Sequence, residues 1–351
     1  MSSSQGSTAN VQPDLNSEIL EFGKHIFAAI GREQPSSFDK NYWSGRIMEW
    51  SMTKPEFKVN LFRLVDVLPT LRSSEAIARH VNEYLAKPGA EISGLLEWGL
   101  DVNPRSLRAK ATAMVVKKTV RQVAAQYIAG ETPADALKPI RNLRKRNMAF
   151  TVDLLGEFCV SEVEADAYLQ RYMEALDVFG REVPKWKAAA PIIDGNPGEL
   201  SPICISVKLS ALYSQTSVLN FEHSVEVISK HLETIARKAK QVNGLIYVDA
   251  EDVNNNVIIY EVFKRVFLSS EFRDFPYPGI VLQAYARDSD QRLDDLINFA
   301  KQRGAPIAVR LVKGAYWDYE TISSHQHHWH SPLFSKKQSS DAQYEKLSRV
   351  M

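Results

Sequence analysis

Lys208, Asp249, Gln283 and Arg310 each interrupt or end a short apolar run, at 203–210, 244–251, 279–285 and 306–314. A strand buried in a parallel sheet is apolar on both faces, so a charged or amide group near its C-terminal end needs a specific role. Two cations could bind a carboxylate or phosphate, and an amide could fix the polar edge of a ring. Together these four suit an anionic or electron-accepting ligand. Their strongest rival role is a set of structural ion pairs inside a barrel, and four matching strand positions weigh against it.

The elements that must position them are βα units. The four polar residues lie about thirty to forty positions apart, enough for a strand, a crossover helix and two loops. A helical pattern follows each run; at 290–304, Leu293, Leu296, Ile297 and Ala300 share a face and Gly304 supplies the stop. Period two along a strand puts Ser206 with Lys208 and Ser210, Tyr247 with Asp249 and Glu251, and Arg310 with Val312 and Gly314. Segment 148–155 is a further short apolar run. Ser161 and Glu164 then form a capping box that opens a helix reaching about Phe179.

Before this region the periodicity is helical. Ser73 and Ser74 can cap a segment carrying Ile77, Val81 and Leu85, and a second helix spans 107–128. The expected organisation is a disordered start at 1–15, a helical domain at 16–146, and an α/β region at 147–351. About 200 residues follow Asn147, whereas a full eight-unit barrel takes about 250. The expectation is therefore an incomplete barrel, and a chain that is part of a longer one.

With 351 residues and a net charge of +1, the chain has no global attraction to nucleic acid. The basic stretch 141–146 and the Lys117, Lys118, Arg121 group are read as solvated helix faces. Two cysteines, Cys159 and Cys204, suit a reducing cytosol. The start has neither a basic nor an apolar leader segment, and no run is long enough to span a bilayer. The histidines at 325–330 lack the spacing of a zinc helix and are read as surface groups, with no metal expected.

RLVKGAYWD (310–318), with ISVKLSAL (205–212), VDAE (248–251), LQAY (282–285) and DLLGE (153–157), resembles the proline dehydrogenase domain. The likeness is greatest to bifunctional enzymes that pair this domain with L-glutamate gamma-semialdehyde dehydrogenase, called proline utilisation A. Segments 57–71 and 331–344 are similar as well. The resemblance implies a (β/α)8 TIM-type barrel, preceded by a helical domain, that uses FAD to oxidise L-proline to Δ1-pyrroline-5-carboxylate. By matching positions, Lys208 would meet the proline carboxylate and Asp249 would shape the pocket. Gln283 and Arg310 would hold the flavin ring, and Val312, Lys313, Gly314, Ala315 and Trp317 would line it. Lys336 and Lys337 would contact its ribose–phosphate side, and Glu157 would order the pocket gate. Gly314, lacking Cβ, would let a planar ring approach the backbone.

The family's arginine pair and strand histidine have no counterpart up to residue 351, so weak or absent activity is expected of the chain as it stands. The resemblance further implies a cytoplasmic protein that hands electrons to quinone or another acceptor. It allows peripheral membrane contact and homo-oligomerisation. Some family members bind DNA through a dedicated N-terminal module. The first 50 residues carry no ribbon-helix-helix pattern or basic concentration, so no nucleic-acid partner is expected. The competing reading is a non-catalytic interaction or dimerisation module.

Overall fold

The computed structural model describes residues 15–32, 55–85, 103, 105–124, 127–156, 158–186, 201–276 and 278–351. The chain divides into two compact units between Tyr127 and Ile128. Residues 1–14 of the expected disordered start lie outside the described residues, and Leu15 already opens the first helix.

The first unit contains α1 (Leu15–Arg32), α2 (Pro55–Val67), α3 (Ser74–Leu85) and α4 (Leu107–Ala124). Ser73 caps α3, its Oγ accepting the Ala76 N–H at 3.1 Å. The stripe this start aligns, Ile77, Val81 and Leu85, packs with Leu64, Leu68 and Ala113 in a small core. Ala78 meets Ala109, small side chains that let α3 and α4 approach closely. Along α1, Ile19, Phe22, Ile26 and Ile30 recur at helical spacing and are exposed.

The second unit begins with α5 (Pro133–Lys145), capped by Thr132, which accepts the Asp135 N–H. The sequence places this helix in the N-terminal helical domain; the structure places it with the sheet. Its Ala136 and Ile140 are buried in the same core as Tyr172, Leu176 and Phe179, so hydrophobic contact overrides the run of helices before it. Then follow β1 (Val152–Asp153), α6 (Glu162–Glu182), β2 (Ile203–Val207), α7 (Phe221–Gln241), β3 (Gly244–Val248) and α8 (Val253–Leu268). β4 (Gly279–Gln283), α9 (Ser289–Arg303), β5 (Ala308–Val312), α10 (Trp317–Gln326) and α11 (Lys337–Val350) complete the unit. The expected box at Ser161 forms with one change: Ser161 Oγ accepts the Glu164 N–H, while Glu164 reaches back to the Val160 N–H at 2.9 Å.

The five strands are parallel and lie in chain order, as in the successive units of a (β/α)8 barrel. Register assigns the two faces. Ile203, Ile205, Val207, Ile246, Val248, Ile280 and Leu282 belong to the core shared with the helices. The alternate positions, Ser206, Tyr247 and Gly279, then Val281 with Arg310 and Gln283 with Val312, are cross-strand neighbours on the other face. Arg310 Nη1 lies 3.0 Å from Ser206 Oγ although β5 and β2 are three steps apart. In a flat sheet three steps span roughly 14 Å, too far for these side chains to bridge, so the sheet curves around that face.

Candidate functional site

Lys208 and Asp249 each follow the last residue of a strand, and Gln283 ends its own, as the sequence led one to expect. Arg310 differs, for it stands in the middle of β5. Its long side chain reaches inward instead, where Nη1 donates to Asp249 Oδ1 at 3.1 Å and to Ser206. Its guanidinium also lies 4.4 Å from the centroid of the Tyr247 ring.

Asp249 is the hinge of this cluster. Its other oxygen accepts from Lys208 Nζ at 3.3 Å, and Lys208 Nζ donates to Asp153 Oδ1 at 2.5 Å. Asp153 sits beside Ser206 in the β1–β2 register, which puts it on the same face. Two cations therefore balance two carboxylates. β1 thus contributes a second carboxylate beside Asp249, and the cluster is neutral overall.

Burial alone would lower the Lys208 pKa, but the Asp153 bond and the Asp249 charge overcome it and hold the ammonium above its ordinary range. For Asp249 burial prevails over the pull of Lys208 and Arg310, and the carboxyl sits above the usual carboxylate range. The Lys208 backbone N–H is fixed as well, donating at 3.0 Å to the hydroxyl of Tyr172, a fully buried residue of α6. That burial pushes the Tyr172 phenol strongly upward.

A cavity of about 320 Å3 opens beside the cluster, lined by Asp249, Gln283, Arg310 and the run Val312, Lys313, Gly314 and Ala315, with Ala250 and Val281. Gln283 is locked into its wall: Nε2 donates to the Glu251 carbonyl at 3.0 Å, and Oε1 accepts from Asn256 at 3.1 Å. Lys313, Gly314 and Ala315 also line a second cavity of about 460 Å3, with Trp317, Ser335, Lys337 and Asp341. There Lys313 and Lys337 both pair with Asp341, and Trp317 Nε1 donates to the Phe334 carbonyl. Lys336 is exposed at the start of α11. Gly314 has φ +127°, and a Cβ there would lie 2.5 Å from the Tyr285 ring. Glu157 lies outside the described residues.

Residues that sequence reasoning missed brace the loops at this end of the sheet. Glu320 of α10 is buried and accepts the Val253 N–H at 2.7 Å. Burial outweighs that bond and the nearby Tyr285 side chain, and raises its carboxyl above the usual range. Asp153 could have been found, since period two from the end of run 148–155 puts it level with the other strand ends. Glu320 left no signal, because a carboxylate in the first turn of a helix reads as an ordinary dipole partner. Other polar groups serve structure. Arg144 donates to the Pro202 carbonyl at 2.9 Å and Arg141 covers Trp186, while His327 stacks on Trp329 at 4.5 Å. Among the described residues no cluster has the make-up of a metal site.

A parallel βα sheet with a polar cluster and a cavity at the C-terminal ends of its strands defines a ligand-binding barrel of the enzymatic kind. The sequence profile of the family described as proline dehydrogenase matches residues 136–351, and that of the proline utilization A N-terminal domain matches 16–127. The chain belongs to the proline dehydrogenase family. It is 27% identical over 278 residues to the bifunctional protein PutA of Klebsiella aerogenes, covering 79% of this chain and 19% of that protein. It is 23% identical over 227 residues to proline dehydrogenase 1 of Bacillus subtilis subsp. natto, covering 65% of this chain and 60% of that one. The solved structure of proline utilization A from Bdellovibrio bacteriovorus, inactivated by N-propargylglycine, superposes with a TM-score of 0.84 at 37% identity. That match covers 96% of this chain and 33% of the other. The chain thus spans a fifth to a third of the length of these bifunctional relatives.

Proposed function

We propose that this chain contributes to FAD-dependent oxidation of L-proline to Δ1-pyrroline-5-carboxylate, as the dehydrogenase part of a bifunctional enzyme. One observation carries the reading: Lys208, Asp249, Gln283 and Arg310 come from four strands and meet beside the cavity bounded by Val312 to Ala315. The donor set suits FAD. A guanidinium and an amide face one cavity, Lys313, Lys337 and Trp317 flank the adjoining one, and Lys336 immediately precedes α11. FAD, when bound, supplies the acceptor for the hydride that leaves the carbon beside the proline nitrogen.

The chain's own residues would bind and orient. Lys208, protonated across the neutral range, meets the substrate carboxylate in exchange for its exposed partner Asp153. Asp249 stands between Lys208 and Arg310 and holds both cations in place. Arg310 and Gln283 address the ring, and Arg310 offers positive charge where negative charge builds on reduction. A cluster neutral overall suits a zwitterionic amino acid better than a simple anion. Glu157 as a gate carboxylate, quinone as acceptor, peripheral membrane contact and a cytoplasmic setting rest on the family resemblance alone. No described helix is long and apolar enough to cross a membrane.

The test is an FAD titration of the purified chain by flavin fluorescence, followed by anaerobic addition of proline. Saturable binding and bleaching of the flavin's visible band are expected; absence of binding, or binding without bleaching, counts against the reading. The exposed apolar stripe of α1 supports a second role, dimerisation through the helical unit. A concentration-dependent dimer that Ile26→Asp abolishes, seen by sedimentation, is the expected result.

A further inference from the structure

Tyr247 faces the same side of the sheet as Asp249 and stands beside Gly279 of β4. A Cβ built on Gly279 would lie 2.4 Å from Tyr247 Cδ1 and 2.6 Å from Cε1 and Cγ. The backbone of Gly279 does not need a glycine for its conformation, so the requirement is for space. The Tyr247 ring occupies the volume that any side chain at 279 would fill. The Arg310 guanidinium then rests 4.4 Å from that ring's centroid. The contacts of Arg310 with Asp249 and Ser206 both act through Nη1, which anchors one corner of a planar group. A third of the side chain remains exposed, so two bonds to one nitrogen leave the plane free to swing. An aromatic face removes that freedom.

We propose that Tyr247 is a positioning residue whose ring is the shelf that sets the plane of the Arg310 guanidinium, and that Gly279 is the recess which lets the ring lie there. This rests on the reading of Arg310 as a cofactor-facing group. No hydrogen bond of the Tyr247 hydroxyl is seen among the described residues, so the face of the ring is what matters and phenylalanine can replace it.

The test uses the full chain with Tyr247→Phe, Tyr247→Leu, Gly279→Ala and Arg310→Met, and two readouts. In side-chain NMR, the Arg310 resonances, assigned by their loss in Arg310→Met, are shifted upfield by the ring in the wild type and in Tyr247→Phe. They move toward ordinary arginine positions in Tyr247→Leu and Gly279→Ala. In FAD titrations, Tyr247→Phe stays within about twofold of the wild type, while Tyr247→Leu and Gly279→Ala weaken binding about five- to tenfold, the range of a cation–π contact. Thermal unfolding of Tyr247→Phe and Tyr247→Leu within a few degrees of each other separates positioning from general damage. Unshifted Arg310 resonances in the wild type overturn the proposal. So does FAD binding in Tyr247→Leu equal to the wild type while Arg310→Met weakens it. FAD binding that even Arg310→Met leaves unchanged overturns the cofactor reading itself, and the proposal with it.

Discussion

Two arginines, one at the base of the sheet and one midway along a strand, show how a fold separates stability from chemistry. Arg303, at the end of α9, is 2% exposed and donates only to backbone carbonyls: Phe267 at 3.1 Å, Pro306 at 2.8 Å, Phe272 at 3.3 Å, and Phe275. It ties together the loops that lead into β4 and β5, at the base of the strands. Arg310 reaches inward from the middle of β5 to line the cavity, is one-third exposed, and is held by a carboxylate, a hydroxyl and a ring. The first has its donors spent on the fold, whereas the second retains donors facing a cavity. Burial lowers the Arg303 pKa and the charge of Asp274 restores it only in part, which is tolerable because carbonyl oxygens saturate the guanidinium.

Replacing the base arginine is the harshest way to probe this contrast. Arg303→Met leaves several buried carbonyls without donors and is expected to destabilise the second unit by about 4 kcal/mol or more, read from urea unfolding. A loss under about 1 kcal/mol would erase the distinction.

Gly314→Ala probes the loop that follows β5. Its φ of +127° and the adjacent Tyr285 ring predict a loss of about 2–3 kcal/mol together with a disturbed cavity wall. Normal stability in that variant would mean that the loop after β5 shifts freely.

The pH response refines the picture further. The Glu320 carboxyl is raised above its unfolded value, near 4.3, so its favourable contribution is complete below that value and fades as pH rises through the folded pKa. Glu320→Gln removes the titration, so the variant should gain on the wild type as pH climbs from acid toward neutrality, measured as the difference between their unfolding free energies. Lys208 behaves as a raised base: its contribution is present below its unfolded pKa and is lost only as pH rises through the folded value, at strongly alkaline pH. No loss from Lys208 is therefore expected near neutrality.

The same contrast explains what the sequence could reveal. The strands and their polar ends were readable, because an apolar run with one charged residue is a local pattern in which burial and polarity conflict. The caps at Ser73 and Ser161, and Gly304 as the stop of α9, were readable for the same reason. What stayed hidden depends on non-local approach. Tyr247 gains meaning only across Gly279, and Glu320 only beside Tyr285 and the start of α8. The boundary after Tyr127 was hidden too, since α5 has the periodicity of the helices before it and the packing of the sheet after it.

Thermal unfolding of the wild type and of Arg310→Met, each with and without saturating FAD, tests the central claim most directly. The account predicts nearly equal midpoints for the two proteins without ligand, and a clear upward shift on adding FAD that the variant largely loses. It is contradicted if Arg310→Met unfolds many degrees lower on its own while FAD shifts neither protein, for Arg310 would then be a second structural arginine like Arg303.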